Sequence, residues 1–160
     1  MKGFIVYPTY RVLNGTPHIC LFGRLENGQG FVTLNSFRPY FFIRTSDLKK
    51  AKRMEGFESE DTTFKDFDGK DVTKIILDSP KEVPEIRKNF EEEGIRCYEA
   101  DVRFAYRFLI DNGLLGTIDI EGDYDSSGEI DRVYKEPIIK PASFIPKLNV
   151  LAIDIETNAR

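Results

Sequence analysis

Two carboxylates set two residues apart, Asp154 and Glu156, close the apolar run NVLAIDIE at 149–156. On a strand, residues i and i+2 face the same way, so the pair projects together and suits one or two hard cations, Mg²⁺ or Mn²⁺. Two such ions held close together activate a water and stabilise the leaving oxygen in phosphodiester hydrolysis. Spacing alone decides little, because acid-x-acid pairs recur at Glu58/Glu60, Asp66/Asp68 and Glu91/Glu93 and throughout DIEGDYD at 119–125. What separates Asp154 and Glu156 is the apolar run around them, where unpaired carboxylates are costly unless a cation neutralises them. A two-metal site needs further acids, and the other acids fall in turns, caps and an exposed hairpin. The pair is therefore expected to be a half-site that holds no metal stably by itself.

The remaining residues define what must position such chemistry. A chain of 160 residues is long enough for one domain with a real core, and 41% hydrophobic with 31% charged residues marks it as globular rather than disordered. No long apolar run and no charged-then-apolar leader is present, which reads as a soluble, intracellular, cytoplasmic protein without a membrane partner. Cys20 and Cys97 lie far apart with no His/Cys cluster around them, so buried free thiols are expected, and the lone His18 reads as structural. Residues 1–110 carry 18 Lys/Arg against 17 Asp/Glu, and residues 111–160 carry 5 against 10. A nucleic-acid partner would therefore be held by a local groove, not by a basic field over the whole surface.

The opening 40 residues are rich in β-branched and aromatic residues, with turn signals at Asn14-Gly15 and Asn27-Gly28, and predict four antiparallel strands. Ser46 caps a short basic helix, DLKKAKRM, that Gly56 closes, and two strands follow around Asp68-Gly69. SPKEVPEIRKNFEEEG predicts a helix with Ser79 as N-cap, Pro80 at its first position, Val83, Ile86 and Phe90 on one face, and Gly94 after its end. IRCYEA reads as a strand, and Asp101 caps a further helix with Phe104 and Phe108 one turn apart. TIDIEGDYDSSGEIDRVYKE predicts an acidic exposed hairpin, and PIIKPASFIPKL, with its prolines, a linker that cannot join a sheet continuously. VLAIDIE has the near-continuous apolar character of a buried strand. The fold class is α+β, a mixed and mainly antiparallel sheet with a few packed helices.

DIET at 154–157 resembles the first exonuclease motif of family B DNA polymerases, which opens a proofreading 3′→5′ domain of ribonuclease-H-like fold. FRPYFFIR (37–44), DSPKEVPEIR (78–87) and EADVRFAYRFLIDNGL (99–114) resemble the corresponding segments of archaeal members, in the same order and at similar separations. The resemblance implies an N-terminal template-binding and deaminated-base-sensing domain at 1–136, a linker at 137–147, and the incomplete first exonuclease strand at 148–160. It implies a full-length DNA-directed DNA polymerase of replication, a nucleotidyltransferase with 3′–5′ exonuclease that uses Mg²⁺ or Mn²⁺. Its partners would be single-stranded template or primer–template DNA and a sliding clamp, in the cytoplasm at the nucleoid. The 160-residue piece alone is expected to be inactive. The alternatives are a stand-alone uracil-sensing module for single strands, or a structural interaction domain.

Carried over position by position, the resemblance implies a uracil pocket lined by Tyr10, by Pro39 and Tyr40, by Pro80 and Val83, and by Val102, Phe104 and Arg107. Tyr10 keeps a gapless register to FRPY and is preferred to Tyr7. Read without the resemblance, Tyr10, Val83, Val102 and Phe104 lie on apolar faces and pack a core, and Pro39 is an edge-strand device. Arg38, Arg44 and Arg103 become candidate template-phosphate contacts, as do Lys49, Lys50, Lys52 and Arg53 of the basic helix; the alternative is a solvated face. Arg103 stands where relatives often have proline and Tyr106 where they often have lysine, so the lip of the pocket gains either a phosphate contact or a crowding side chain.

Overall fold

The structure, a computed structural model, describes residues 1–147 and 150–156. Strands β1 (Lys2–Leu13), β2 (Thr16–Leu25) and β3 (Gly30–Ser36) form an antiparallel meander. Asn14 (φ 49°) and Gly15 (φ 81°) both take the left-handed conformation that a two-residue hairpin of this twist demands. Gly23 is fixed by contact: a Cβ there would sit 2.1 Å from the Phe4 carbonyl oxygen, which the backbone cannot yield.

The fourth strand, β4 (Tyr40–Arg44), leaves this meander for a second sheet, a departure from the four-strand start expected. A 3-10 turn at Thr45–Asp47 leads into α1 (Leu48–Ala51), and Ser46 makes no cap for it. Next come β5 (Glu58–Lys65), β6 (Asp71–Ile76), α2 (Val83–Glu92) and β7 (Cys97–Tyr98). Together they give a βαββαβ unit with sheet order β5-β6-β4-β7. Helix α1 and α2 cover one face of it, enclosing Phe41, Ile43, Ile75, Leu77, Phe90 and Ile95.

Helix α3 (Phe104–Asp111) packs on the larger sheet, where Ala105, Phe108 and Leu109 join Ile5, Ile19, Leu21 and Phe31 in a separate core. Both longer helices begin later than the sequence indicates. Ser79 bonds the Lys81 N–H within a turn and Glu82 is the N-cap of α2; Arg103, not Asp101, precedes α3.

The last third of the described chain also departs from expectation. β8 (Thr117–Glu121) pairs with β1, and β9 (Tyr124–Ser127) forms the expected hairpin with β10 (Ile130–Lys135). That hairpin is not free of the body, because β10 runs parallel to β3 and buries Tyr134. Within the segment read as a linker, β11 (Ile138–Pro141) pairs with β8 at the edge of the seven-stranded sheet β11-β8-β1-β2-β3-β10-β9. An edge tolerates proline because one side of the strand has no ladder to complete.

The buried strand expected at VLAIDIE is not formed over the described residues 150–156: they have no regular structure, and Val150, Leu151, Ile153 and Ile155 are exposed. A buried strand needs neighbours for its N–H and C=O groups, and no described strand pairs with this segment. Residues 148, 149 and 157–160 lie outside the described residues, as does the end of DIET. Among the described residues no helix is long and apolar enough to cross a membrane.

Candidate nucleic-acid cleft

The two cores meet at the crossing from β3 to β4, and there a cleft of about 520 Å³ opens. One wall is β1, from Val6 to Tyr10, where a bulge between Ile5 and Tyr7 shifts the strand's register. The opposite wall is the turn into α2, with Pro80, Val83 and Pro84. Pro39 and Tyr40 from the crossing, and residues 102–107 at the start of α3, complete it.

All eight residues assigned to a pocket by resemblance, Tyr10, Pro39, Tyr40, Pro80, Val83, Val102, Phe104 and Arg107, line this one cleft. They come from four segments spread over nearly 100 residues of chain, brought together by the packing of α2 and α3 against different sheets.

Some of these side chains are also core, as the plain reading of their apolar faces requires. Phe104 stacks on Phe37 (centroids 5.4 Å) and meets the Tyr10 ring edge-on at 5.3 Å, so Tyr10 and Phe104 border the larger core. Val83 borders the smaller one. Each wall is therefore anchored from behind, and close packing there limits how far the cleft can change shape. Four of the lining residues, Pro8, Pro39, Pro80 and Pro84, are prolines with fixed φ.

Tyr40 and Arg107 form a polar corner. The Tyr40 hydroxyl donates to Asp111 (2.6 and 2.7 Å) and its ring lies under the Arg107 guanidinium at 5.0 Å. Burial and the Asp111 carboxylate raise the Tyr40 phenol above its ordinary range, so it stays a neutral donor. Arg107 Nη2 pairs with Glu99 Oε2 at 2.6 Å, and Nη1 is 4.0 Å from Asp111. Its side chain is only 8% exposed, and its Nε has no hydrogen-bond partner among the described residues. Glu99, which orders it, is held at φ 59°, a left-handed conformation uncommon for residues with a Cβ.

The candidate phosphate contacts separate. Arg103 lines the cleft, is exposed, and makes no ion pair among the described residues. Arg38 instead pairs with Glu58 (2.8 Å) and Asp78 (2.7 Å), and Arg44 with Asp66 (2.6 Å) and Asp68, each away from the cleft. Of the basic helix, Lys50 pairs with Glu93, and none of Lys49, Lys50, Lys52 and Arg53 lines the cleft. Sequence reasoning passed over Val6, Pro8 and Pro84, and set Tyr7 aside. Pro84, four residues after Pro80 beside Val83, carries a legible signal, whereas the bulge that turns residues 6–8 into the wall has none.

Asp154 and Glu156 stand apart from this cleft, exposed on the irregular segment. No group of three or more metal-ligating side chains occurs among the described residues. By themselves these two carboxylates are fewer ligands than a two-metal centre takes.

No family model matches the chain. It is 26% identical over 160 residues to DNA polymerase II of Escherichia coli, covering 97% of this chain and 20% of that protein. It is 27% identical over 173 residues to a DNA polymerase of Archaeoglobus fulgidus, covering 98% and 21%. A DNA polymerase of Thermococcus sp. (strain 9oN-7) is 32% identical over 146 residues, covering 79% and 18%. The chain thus spans about a fifth of the length of these relatives. The solved family B DNA polymerase of Pyrobaculum calidifontis shares the fold, with a TM-score of 0.74 at 23% identity over 92% of this chain and 21% of that one. By sequence along nearly its whole length, and by fold, the chain is homologous to the N-terminal region of the family B DNA polymerases of archaea and Escherichia coli.

Proposed function

We propose that this chain is the template-reading portion of a replicative DNA-directed DNA polymerase with 3′–5′ proofreading. Its cleft admits an unpaired uracil from the single-stranded template and stalls synthesis ahead of it. The observation that carries the reading is the convergence of Tyr10, Pro39, Tyr40, Pro80, Val83, Val102, Phe104 and Arg107 on one proline-walled cleft. A base must leave the stack to enter such a site, which favours a single strand, where no base pair has to be broken.

Uracil differs from thymine by one methyl group, so discrimination requires walls that do not yield. The fixed φ of the four prolines and the backing of Val83 and Phe104 by two separate cores supply that stiffness. Arg103 at the exposed lip is free for a backbone phosphate, and Arg107 is tied to Glu99 as a structural corner. Polymerisation and exonuclease chemistry, with Mg²⁺ or Mn²⁺, belong to the full-length enzyme, as does docking to a sliding clamp. The molecule works in the cytoplasm, at the nucleoid.

One methyl in a pocket of fixed shape discriminates by about 1–3 kcal/mol, or roughly 10- to 200-fold. Anisotropy titration of otherwise identical single strands carrying one uracil or one thymine measures that ratio. Val83→Gln, which fills the slot, is expected to bring the ratio to one while leaving general strand binding in place. A ratio unchanged by Val83→Gln overturns the assignment of the cleft.

A further inference from the structure

Helices α1 and α2 cover one face of the βαββαβ sheet, while the other face is only partly covered, with α3 at its border. Phe41 and Ile43 of β4 and Ile75 of β6 point to α1 and α2, so by strand alternation Tyr40, Phe42, Arg44 and Lys74 face the other way. That open face is aromatic. The Phe42 ring meets Tyr40 at 5.4 Å and Phe64 at 5.9 Å, and Arg96 lies over the Tyr98 ring at 5.2 Å. A second cavity, of about 840 Å³, runs along it and is bounded by α3. It shares Tyr40 and Arg107 with the first cleft, so the two are neighbours across one wall.

Phe64 is 63% exposed at the rim of this cavity, although its ring is large and apolar. The acids of the cavity do not make it repel a strand: Asp66 is paired with Arg44, Glu99 with Arg107, and Asp111 accepts the Tyr40 hydroxyl. Arg96 makes no ion pair among the described residues. Four-stranded sheets with helices on one face and aromatic side chains on the other are a recurrent platform for stacking unpaired bases.

We propose that this open face holds a second unpaired nucleotide of the same DNA strand, next in sequence to the one in the first cleft. Its base stacks on Phe64 and Tyr98, and Arg96 takes the adjoining phosphate. The inference rests on the single-strand-binding part of the proposed function but not on uracil sensing. Shared residues between the cavities supply the continuity, and stacking on π-faces makes the second position indifferent to base identity.

The test titrates the full 160-residue chain, as wild type, Phe64→Ala and Arg96→Ala, with labelled oligothymidylate and with the same strand carrying one central uracil. Phe64 is exposed, so its loss leaves the fold intact, and thermal unfolding verifies this. Phe64→Ala is expected to weaken both strands by about fivefold or more, with the uracil-to-thymine ratio unchanged. Arg96→Ala is expected to weaken both and to flatten the salt dependence. Phe64→Ala binding both strands as tightly as wild type overturns the proposal. If wild type shows no uracil preference but Phe64→Ala still weakens both strands, the base-sensing reading fails and the second subsite stands.

Discussion

Glu99 combines two opposed contributions at one position, which makes its substitution quantitatively informative. Its carboxylate neutralises the buried Arg107 guanidinium at 2.6 Å, and its backbone sits at φ 59°. Removing one partner of a fully buried pair costs about 3–5 kcal/mol, and of an exposed pair about 0–1. Glu99 is 53% exposed and Asp111 remains 4.0 Å from Arg107, so the loss falls between these limits, at about 2 kcal/mol. The left-handed backbone costs a residue with a Cβ about 1 kcal/mol that glycine avoids. Glu99→Ala should therefore destabilise by about 2 kcal/mol and Glu99→Gly by about 1. At roughly 2–4 °C per kcal/mol for a chain of this size, the alanine variant should melt about 4–8 °C below wild type and the glycine variant about 2–4 °C below it. Thermal unfolding followed by circular dichroism reads both. Because Arg107 walls the cleft, both variants should also lose uracil preference. An alanine variant as stable as the glycine variant, or a pair indistinguishable from wild type, refutes the reasoning about strain and pairing at this corner.

Asp66 supplies a pH-dependent counterpart. Burial of its carboxylate opposes ionisation, but the Lys70 and Asp68 N–H groups, the Arg44 guanidinium and the Tyr98 hydroxyl outweigh that and hold it well below the ordinary carboxylate value of 3.8. A depressed carboxylate contributes its full stability above the unfolded value and loses it as pH falls through the folded one. The urea midpoints of wild type and Asp66→Asn should thus differ at neutral pH and converge as pH drops below about 4; a constant difference down to pH 2 contradicts this. The 160-residue chain is expected to show no Mg²⁺-dependent digestion of a 3′-labelled strand, and activity that Asp154→Ala removes would refute that.

Much of the cleft was legible because its residues announce themselves locally. The FRPY crossing, the proline-flanked start of α2 and the Phe104/Phe108 spacing are short patterns, and only their convergence needed the fold. Non-local features were not legible. Parallel pairing of β10 with β3, a hundred residues apart, turns an apparent surface hairpin into part of the large sheet. Arg38 and Arg44 look like free cations in sequence, but their carboxylate partners lie 20–40 residues away and reach them only through sheet pairing. The apolar run ending in Asp154 and Glu156 forms no strand among the described residues: periodicity identifies what a strand would bury, but burial requires neighbours to pair with.

In the proposed recognition, stiff walls exclude a substituent at the 5-position of an unpaired pyrimidine. The most direct measurement is the affinity of the chain for single strands identical except for one base, bearing hydrogen, fluorine or methyl at that position. Affinity is expected to fall as the substituent grows, with uracil bound tightest, 5-fluorouracil close to it, and thymine weakest by about tenfold or more. Equal affinities across the three would rule out exclusion at the 5-position by this cleft.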